Sequence, residues 1–366
     1  MRIAILGTRG IPARYGGFET FAEELSVRLV TRGHQVTVFG RRPFFSTVQE
    51  TLEYKGVKIL NVPTIFHKYF ETPLHGLFSF VAASKRDFDV ILLCNAANSP
   101  FSWILNLKRL PFAVNVDGIE RKRAKWNALG KLWYWLGERA SVLFASKVIA
   151  DAHVIRDYYK KQYSCEATVI PYGASALHRD AGKVLENFGL EAGKYLLYVS
   201  RLEPENNALG VVQAYCQSGV AMPLVVVGDA PYGKAYIERL KEAANDSVVF
   251  TGFQFGEAYE ELQSNCYLYI QATEVGGTHP ALIEAMAYAN CVVANETPEN
   301  KEVLGDVGVY YQKNNFETLA SLLNDLANNP GKAKELGNNA KKRAEALYSW
   351  EKVSDAYEEL LCSLVK

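Results

Sequence analysis

The sequence of 366 residues lacks the features that mark several large classes of protein. Its six cysteines form no C-x-x-C pair and show no zinc spacing, which suits a reducing cytoplasm. No window offers ~18 continuous apolar residues, so we expect no membrane span, and the apolar run before Gly7 is too short for a signal-peptide core. Basic and acidic residues both number 40, which argues against binding to nucleic acid through an overall field.

Short apolar runs alternate with stretches of helical spacing, which indicates parallel sheets with helical crossovers. The first half predicts strands at "RIAIL", "QVTVFG", "VKILNV", "DVILLC", "FAVNV" and "KVIA", and a helix over Phe18–Arg32 that Gly33 ends. After "TVIPYGA" (168–174) the pattern restarts with "YLLYVSRL", "PLVVVGDA", "SVVFTGF", "CYLYIQAT", "CVVANET" and "GVYYQ". We predict two Rossmann-like α/β domains, residues 1–172 and 173–345, with a cleft between them, and a C-terminal helix, 346–366, that returns toward the first domain.

The loop after the first strand, "GTRGIPARYGGFE", contains four glycines, which let backbone N–H groups approach a phosphate beside a helix start. A tight turn with solvated arginines is the alternative without a ligand. A dinucleotide loop would need G-x-G-x-x-G, which is absent. Arg41 and Arg42 end the second strand, however, and could bind a 2′-phosphate, so an NADP-dependent oxidoreductase stays open.

Ligands of parallel α/β sheets lie beyond the carboxyl ends of the strands. Arg201 leaves such an end in "YVSRLEPENN", where a guanidinium can bind a diphosphate bidentately. The alternative is a surface arginine paired with Glu203 or Glu205. In "VVVGDAP", Gly228 permits close approach of the backbone, while Asp229 is as readily a turn residue.

The stretch "EVGGTHPALIEAMA" (274–287) places a glycine-rich turn before a helix that begins at Pro280, with Thr278 or His279 as a possible cap. Glu284 lies past the cap, where it could accept hydrogen bonds from a vicinal diol. The alternatives are a favourable charge near the helix N-terminus for Glu284 and a solvated loop acid for Glu274. A ligand that places an anion at the helix start and a vicinal diol at the Glu284 carboxylate would carry both groups of a nucleoside diphosphate, its phosphates and its ribose.

These motifs resemble the retaining glycosyltransferases of family 4, which have the GT-B fold, over nearly the whole chain. The resemblance is carried by "YGGFETFAEELSVRLVTRGHQVTVF", "VIADAHVIRDYY", "TVIPYGA", "SRLEPENN", "VVVGD", "FTGF" and "PALIEAMAYANCVVA". Within the family, four sequence motifs are similar to those of bacterial polysaccharide rhamnosyltransferases. They are "GTRGIPARYGGFETF", "NVDGIERKRAKW", "PENN" and "EVGGTHPALIEAM".

The resemblance implies that Arg201 binds the donor diphosphate and that Glu284 binds the ribose hydroxyls. Other implied donor or acceptor contacts come from the turn Gly276, Gly277 and Thr278, from Gly16 and Gly17 on the opposite wall, and from Phe253 and Gln254 near the nucleobase. Asp117, in "NVDGIE", could bind an acceptor or donor hydroxyl, although an Asp-Gly turn is the alternative.

The chain departs from the family pattern at two places. The family's two glutamates have seven residues between them, but the position that stands in this relation to Glu284 is Gly276, and Glu274 could take the role of the first glutamate from a shifted loop. The family's lysine soon after the arginine is replaced by Asn206 or Asn207. Arg9, Arg14 or the helix start could supply the missing positive charge.

We expect a cytoplasmic, retaining glycosyltransferase that moves L-rhamnose from dTDP-L-rhamnose to a lipid-linked saccharide in bacterial surface-polysaccharide synthesis. Arg201 and the helix start supply positive charge without a metal, so we expect no metal requirement. A non-catalytic nucleotide-sugar binder stays open, because it would explain both departures.

The stretch "ERKRAKWNALGKLWYWLGERA" (120–140) is basic and then rich in tryptophan, which favours peripheral contact with an anionic membrane surface. The alternative is a domain helix with Trp133, Tyr134 and Trp135 partly in the core.

Overall fold

A computed structural model describes residues 1–13, 16–42, 51–67, 69–123, 126–230 and 233–365. The chain folds as two compact units. The N-terminal unit comprises Met1–Lys122, Trp126–Gly173 and Trp350–Lys366, and the C-terminal unit comprises Ala174–Ser349 with a short segment that begins at Arg123.

Strands and helices alternate along most of the described chain. The strands are β1 (Arg2–Leu6), β2 (Gln35–Arg41), β3 (Thr51–Tyr54), β4 (Val57–Val62), β5 (Val90–Cys94), β6 (Phe112–Asn115), β7 (Lys147–Ala150), β8 (Thr168–Val169), β9 (Leu196–Val199), β10 (Leu224–Val227), β11 (Val248–Gly252), β12 (Leu268–Gln271), β13 (Cys291–Asn295) and β14 (Val309–Tyr311). The α-helices are α1 (Gly17–Thr31), α2 (Glu71–Ser84), α3 (Trp103–Leu107), α4 (Ala128–Phe144), α5 (His153–Tyr163), α6 (Lys183–Asn187), α7 (Ala208–Ser218), α8 (Lys234–Ala243), α9 (Glu257–Ser264), α10 (Pro280–Ala287), α11 (Pro298–Leu304), α12 (Phe316–Ala327), α13 (Pro330–Leu347) and α14 (Trp350–Val365). Short 3-10 turns cover Ala96–Phe101, Glu120–Lys122, Pro204–Asn206 and Gly305–Val307.

The N-terminal unit is built on an eight-stranded sheet in the order β3-β4-β2-β1-β5-β6-β7-β8. Its described pairs are parallel except that of β3 with β4. The central strands are apolar on both faces, and every residue of β5 is buried, as expected for a sheet covered by helices on both sides. The chain order reverses beside β1, which pairs with β2 on one edge and β5 on the other.

The C-terminal unit contains a six-stranded parallel sheet in the order β11-β10-β9-β12-β13-β14. After β9 the chain adds β10 and β11 on one side, then returns to place β12 on the other side of β9, with Leu196 opposite Leu268. The chain continues from β9 to β10 in one direction along the strand order and from β12 to β13 in the other. Open α/β sheets bind ligands at the carboxyl ends of two such neighbouring strands.

The predicted fold class, two Rossmann-like α/β domains, is confirmed. Each predicted strand is present with ends that differ by at most three residues, and the predicted helix over 18–32 is α1, with Gly33 beyond it at φ +90°. The short antiparallel strand β3 was not predicted.

A close helix contact fixes the position of α10. Helix α13 packs on it with Gly337 facing the chain just after α10. A Cβ at position 337 would lie 2.0 Å from the carbonyl oxygen of Ala289, so no larger residue fits without a backbone shift. The absence of a side chain at Gly337 therefore sets the distance between the two helices.

Two substitutions in α13 should change stability in opposite directions. Gly337→Ala forces Cβ into the Ala289 carbonyl and should lower the free energy of unfolding by about 1–3 kcal/mol. Gly331→Ala, in the first turn of the same helix, meets no atom within 4 Å and should raise it by roughly 0.5–1 kcal/mol through the lost backbone entropy of glycine. Urea unfolding of both variants measures the difference, and equal effects would contradict the packing described.

Candidate functional site

The loop that leaves β9 folds around the carbonyl oxygen of Arg201. This oxygen accepts hydrogen bonds from the N–H of Glu203 and from the side-chain amide of Asn206, both at 2.7 Å. The carbonyl oxygen of Asn206 in turn accepts a 2.6 Å hydrogen bond from the buried hydroxyl of Tyr198. These bonds hold the backbone in one conformation, from which the partly exposed side chain of Arg201 leaves the carboxyl end of β9.

Gly228 lies beside this loop, at the end of β10. Its φ is +140°, and a Cβ there would lie 1.8 Å from the carbonyl oxygen of Ser200. Glycine is therefore required by the approach of two neighbouring strand ends. Asp229 acts as a turn residue, since its carboxylate accepts a 2.7 Å hydrogen bond from the N–H of Ala230.

The glycine-rich turn before α10 is bonded to the same region. The N–H of Glu274 donates to the carbonyl oxygen of Glu205 at 3.0 Å, which joins the loop after β12 to the loop after β9. Gly276, Gly277 and Thr278 are buried. A Cβ at position 276 would lie 2.4 Å from the imidazole of His279, so the glutamate that the family carries at this position would overlap that ring. The first carboxylate of this loop belongs to the partly exposed Glu274.

The electrostatic potential at the start of α10 is positive. Pro280 is its first residue, as predicted, and His279 is the N-cap, whose side chain makes no capping hydrogen bond. Burial, and then the charges of Arg123 and Arg201, lower the pKa of His279 to about 3. The imidazole therefore stays neutral near pH 7, and the positive potential comes from two guanidiniums and the N–H groups of the first turn.

A chain of hydrogen bonds holds Glu284, the fifth residue of α10. The amide of Asn290 donates to Gln263 Oε1 at 3.0 Å, Gln263 donates to the Tyr259 hydroxyl at 2.8 Å, and Tyr259 donates to Glu284 Oε2 at 2.6 Å. Burial, and then the charge of Glu284, raise the pKa of Tyr259 well above its ordinary value, so the hydroxyl stays a donor. Sequence reasoning missed Tyr259, whose one signal is its spacing of four residues from Gln263 in α9.

Phe253 and Gln254 lie between β11 and α9. The rings of Phe253 and Phe255 stack with centroids 5.8 Å apart, and the Gln254 amide donates to the carbonyl oxygen of Thr251 at 2.9 Å. This short segment leads directly into the helix that carries Tyr259.

Arg123 is a second site residue that sequence reasoning missed. Its side chain is 7% exposed, and its Nη1 lies 3.8 Å from Glu203 and 3.7 Å from Glu205. Arg123 is 78 positions before Arg201, so no local pattern could have joined them.

In the N-terminal unit, Gly16 is the extended N-cap of α1 and Gly17 is its first residue. The glycine-rich loop is tied to this helix by its own acids. The N–H of Arg9 donates to Glu19 and the N–H of Ala13 donates to Glu23, each at 2.8 Å.

Asp117 follows β6 with a positive φ of +55°. Its N–H donates to Asn115 Oδ1 at 3.0 Å, and its carboxylate accepts a 3.1 Å hydrogen bond from the Tyr172 hydroxyl. The Tyr172 ring packs edge-on against Phe18, with centroids 6.2 Å apart. The structure therefore brings Asp117 and the start of α1 together within the N-terminal unit.

Two of the arginines proposed from the sequence for other anions, Arg9 and Arg41, are bonded to one carboxylate of the N-terminal unit. Arg41 is buried and bonded to Glu71, and Arg9 Nε donates to the same carboxylate at 3.1 Å. The hypothesis of an NADP-dependent oxidoreductase is therefore weakened, because the buried Arg41 does not offer its guanidinium to a 2′-phosphate. Arg14 lies outside the described residues.

Comparisons with known proteins agree with this architecture. Residues 15–175 match the family model "Glycosyltransferase Family 4" and residues 185–343 match "Glycosyl transferases group 1". The O-antigen chain mannosyltransferase C of Escherichia coli is 24% identical, covering 100% of this chain and 99% of its own. The N-acetylgalactosamine-N,N'-diacetylbacillosaminyl-diphospho-undecaprenol 4-alpha-N-acetylgalactosaminyltransferase of Campylobacter jejuni is 25% identical over 57% of this chain and 56% of its own.

Among solved structures, Anabaena HepE in complex with UDP-glucose superposes with a TM-score of 0.80 at 17% identity, covering 100% of both chains. That likeness concerns the fold, while the two family models together span most of both units. The chain is a GT-B glycosyltransferase of the family 4 type.

Proposed function

We propose that this protein is a retaining transferase that uses a nucleoside diphosphate sugar as donor. The observation that carries the proposal lies between the ends of β9 and β12, where Arg201, Glu284 and the start of α10 belong to one bonded region of the C-terminal unit. A diphosphate fits the guanidinium and the helix start, and the ribose diol fits Glu284. The complex of HepE with UDP-glucose supports a donor of this class.

The proposed mechanism depends on positive groups placed where negative charge develops. When the sugar leaves, charge accumulates on the diphosphate, and Arg201 and the N–H groups of α10 stabilise it without having to reorganise. The leaving phosphate helps to take the acceptor proton at the same face of the sugar, which retains the anomeric configuration. Tyr259 positions Glu284, and Asp117 is proposed to bind an acceptor or donor hydroxyl.

We propose that no metal is required. The chain has one D-x-D sequence, at residues 87–89. It precedes β5, at the amino end of the strand, where Asp89 bonds to Arg2 at 2.6 Å. Because ligands bind at the carboxyl ends of the strands, this pair of acids belongs to the opposite edge of its sheet and holds a structural ion pair.

For the substrates, we propose transfer of L-rhamnose from dTDP-L-rhamnose to a lipid-linked saccharide during bacterial surface-polysaccharide synthesis. The sugar rests on the likeness of the motifs to rhamnosyltransferases, while the relatives reported above are a mannosyltransferase and an N-acetylgalactosaminyltransferase. The lipid-linked acceptor is supported by the diphospho-undecaprenol in the name of the Campylobacter jejuni relative.

We further propose peripheral contact with an anionic membrane through α4. The apolar face of α4 consists of Leu129, Leu132, Leu136 and Leu143, exposed by 73%, 50%, 41% and 74%. The exposed charges of this helix are the basic Lys131 and Arg139, while its one acid, Glu138, is buried. Apolar and basic groups on one surface are what an anionic lipid headgroup layer attracts.

The neighbouring aromatic residues divide between the core and this surface. The Trp133 indole donates to the carbonyl oxygen of Ala97 at 3.0 Å and packs against Phe101. Trp135 lies under the guanidinium of Arg139, 4.4 Å from its ring centroid. No described helix is both long and apolar enough to cross a bilayer.

Nucleotide binding should stabilise the protein against heat. At ~100 times its dissociation constant, a ligand adds about 2.7 kcal/mol to the free energy of unfolding. We expect a rise in Tm with dTDP that exceeds the rise with UDP or GDP, measured by scanning fluorimetry beside NADP. A larger rise with UDP or GDP would remove rhamnose from the proposal, and a rise with NADP alone would overturn it.

Substitutions should separate phosphate binding from ribose binding. Arg201→Ala should lower the affinity for a nucleoside diphosphate by about 10- to 100-fold and should abolish transfer. Glu284→Gln should weaken the nucleoside diphosphate but leave pyrophosphate binding unchanged, since it removes a ribose contact only. Tyr259→Phe should have a smaller effect of the same kind.

Calorimetric titrations with nucleoside diphosphate and pyrophosphate measure these effects, with Glu257→Gln, an exposed acid of α9, as the matched control. Unchanged affinity in Glu284→Gln would remove the ribose role. A wild-type protein that binds the nucleotide but releases none from dTDP-L-rhamnose, or from a UDP- or GDP-sugar, in the presence of membrane lipid extract would be a binder and no transferase.

Membrane contact should depend on the apolar face of α4. The double substitution Leu132→Glu, Leu136→Glu should reduce sedimentation with phosphatidylglycerol vesicles at low salt by about 10-fold or more, because it places two negative charges on the surface. The matched control is Leu177→Glu, Leu347→Glu, two exposed leucines of the C-terminal unit. Equal sedimentation of both variants would contradict the assignment of the surface, and no binding of the wild-type protein would contradict membrane contact.

A further inference from the structure

Arg123 is a buried arginine of the C-terminal unit to which the proposed mechanism gives no role. The described residues on either side of it, Lys122 and Trp126, belong to the N-terminal unit, whereas Arg123 is part of the C-terminal one. Its side chain is 7% exposed. A guanidinium is costly to remove from water unless negative groups balance it, so its position indicates a surrounding that favours cations.

Two carboxylates of the loop after β9 face Arg123. Its Nη1 lies 3.8 Å from Glu203 Oε2 and 3.7 Å from Glu205 Oε1. Both separations exceed the roughly 2.7–2.9 Å of a charge-assisted hydrogen bond. The buried carboxylate oxygens of Glu205 accept no hydrogen bond from the described residues. Glu203 and Glu205 therefore attract Arg123 electrostatically, at distances longer than those of direct hydrogen bonds.

The same loop carries Arg201 at its start. The carbonyl oxygen of Arg201 is bonded to the N–H of Glu203, and the carbonyl oxygen of Glu205 to the N–H of Glu274. Arg123 and Arg201 are also the two charges that lower the pKa of His279, the N-cap of α10. Both guanidiniums thus lie around the positive end of that helix, where repulsion between them is reduced when an anion binds.

The asparagines that stand in place of the family's lysine, and Arg9, are engaged in bonds of their own. The Asn206 amide donates to the Arg201 carbonyl oxygen, and the Asn207 amide donates to the carbonyl oxygen of Ala272 at 2.9 Å. Arg9 is bonded to Glu71 in the N-terminal unit. Arg123 is a cation that the structure brings to the loop of Arg201, through its proximity to Glu203 and Glu205.

We propose that Arg123 binds the diphosphate of the donor together with Arg201, and that Glu205 positions the Arg123 guanidinium for this contact. This inference rests on the proposed function. The two guanidiniums then offset the charge that grows on the leaving diphosphate, and Arg123 supplies from a distant part of the chain the positive charge that the sequence after Arg201 lacks.

The test compares the binding of a nucleoside diphosphate with that of the monophosphate. The ratio of the two affinities changes when a side chain that binds the second phosphate is removed, because the monophosphate lacks that group. The probes are dTDP with dTMP, UDP with UMP, and GDP with GMP, titrated into the protein of 366 residues. Arg123→Met should lower the diphosphate affinity by about 10- to 100-fold and the monophosphate affinity by less than about threefold. Arg123→Lys should restore part of the preference for the diphosphate, and Arg179→Met, a surface arginine of the same unit paired with Glu260, should change neither affinity.

The inference and the proposed function fail in different ways. If the wild-type protein binds none of the six nucleotides, the proposed function is wrong. If it prefers a diphosphate and Arg123→Met retains that preference, Arg123 only balances the charge of Glu205. If Arg123→Met does not fold, because Glu205 is left buried without a cation, the double variant Arg123→Met, Glu205→Gln removes both charges. A preserved preference for the diphosphate in that folded variant would equally overturn the inference.

Discussion

The parallel pairing of β9 with β12 is the constraint on which the site depends. The two strands are far apart in sequence, and their alignment brings the ends of two connections to the same edge of the sheet. The hydrogen bond between Glu274 and Glu205 then joins the connections at one point. Without this pairing, Arg201 and the start of α10 would belong to separate surfaces, and neither alone would distinguish a diphosphate from any other anion.

The electrostatics of the candidate site depend on two side chains that stay neutral, His279 and Tyr259, as well as on its charged groups. His279 stands at the helix start with a pKa of about 3, and it therefore adds no charge that varies between pH 5 and 8. Tyr259 stays protonated beside Glu284. Neither group changes its charge near neutral pH, so neither would make anion binding at the proposed site depend on small changes of pH.

The sequence was sufficient to predict the fold and to name several residues of the candidate site. Periodicity located the strands because their residues are apolar on both faces, the end of β9 marked Arg201, and the glycine-rich turn before α10 marked Glu284. The roles of Gly228 and Gly276 could not be predicted in detail, because they depend on the Ser200 carbonyl and the His279 ring. Arg123 and Tyr259 were missed for a related reason. Each acts through a partner that is distant in sequence, and no local pattern records such a contact.

The chain of bonds that ends on Glu284 has a direction. Asn290, Gln263 and Tyr259 each donate toward the next group, and all three donors point the same way. A carboxylate at the end of such a relay has only lone pairs left to offer. A ligand must therefore arrive there with hydrogen atoms of its own. A hydroxyl pair satisfies this requirement, whereas a carbonyl or a phosphate oxygen would meet an oxygen of the same polarity, so in the proposed site the relay would select the orientation in which a nucleotide enters.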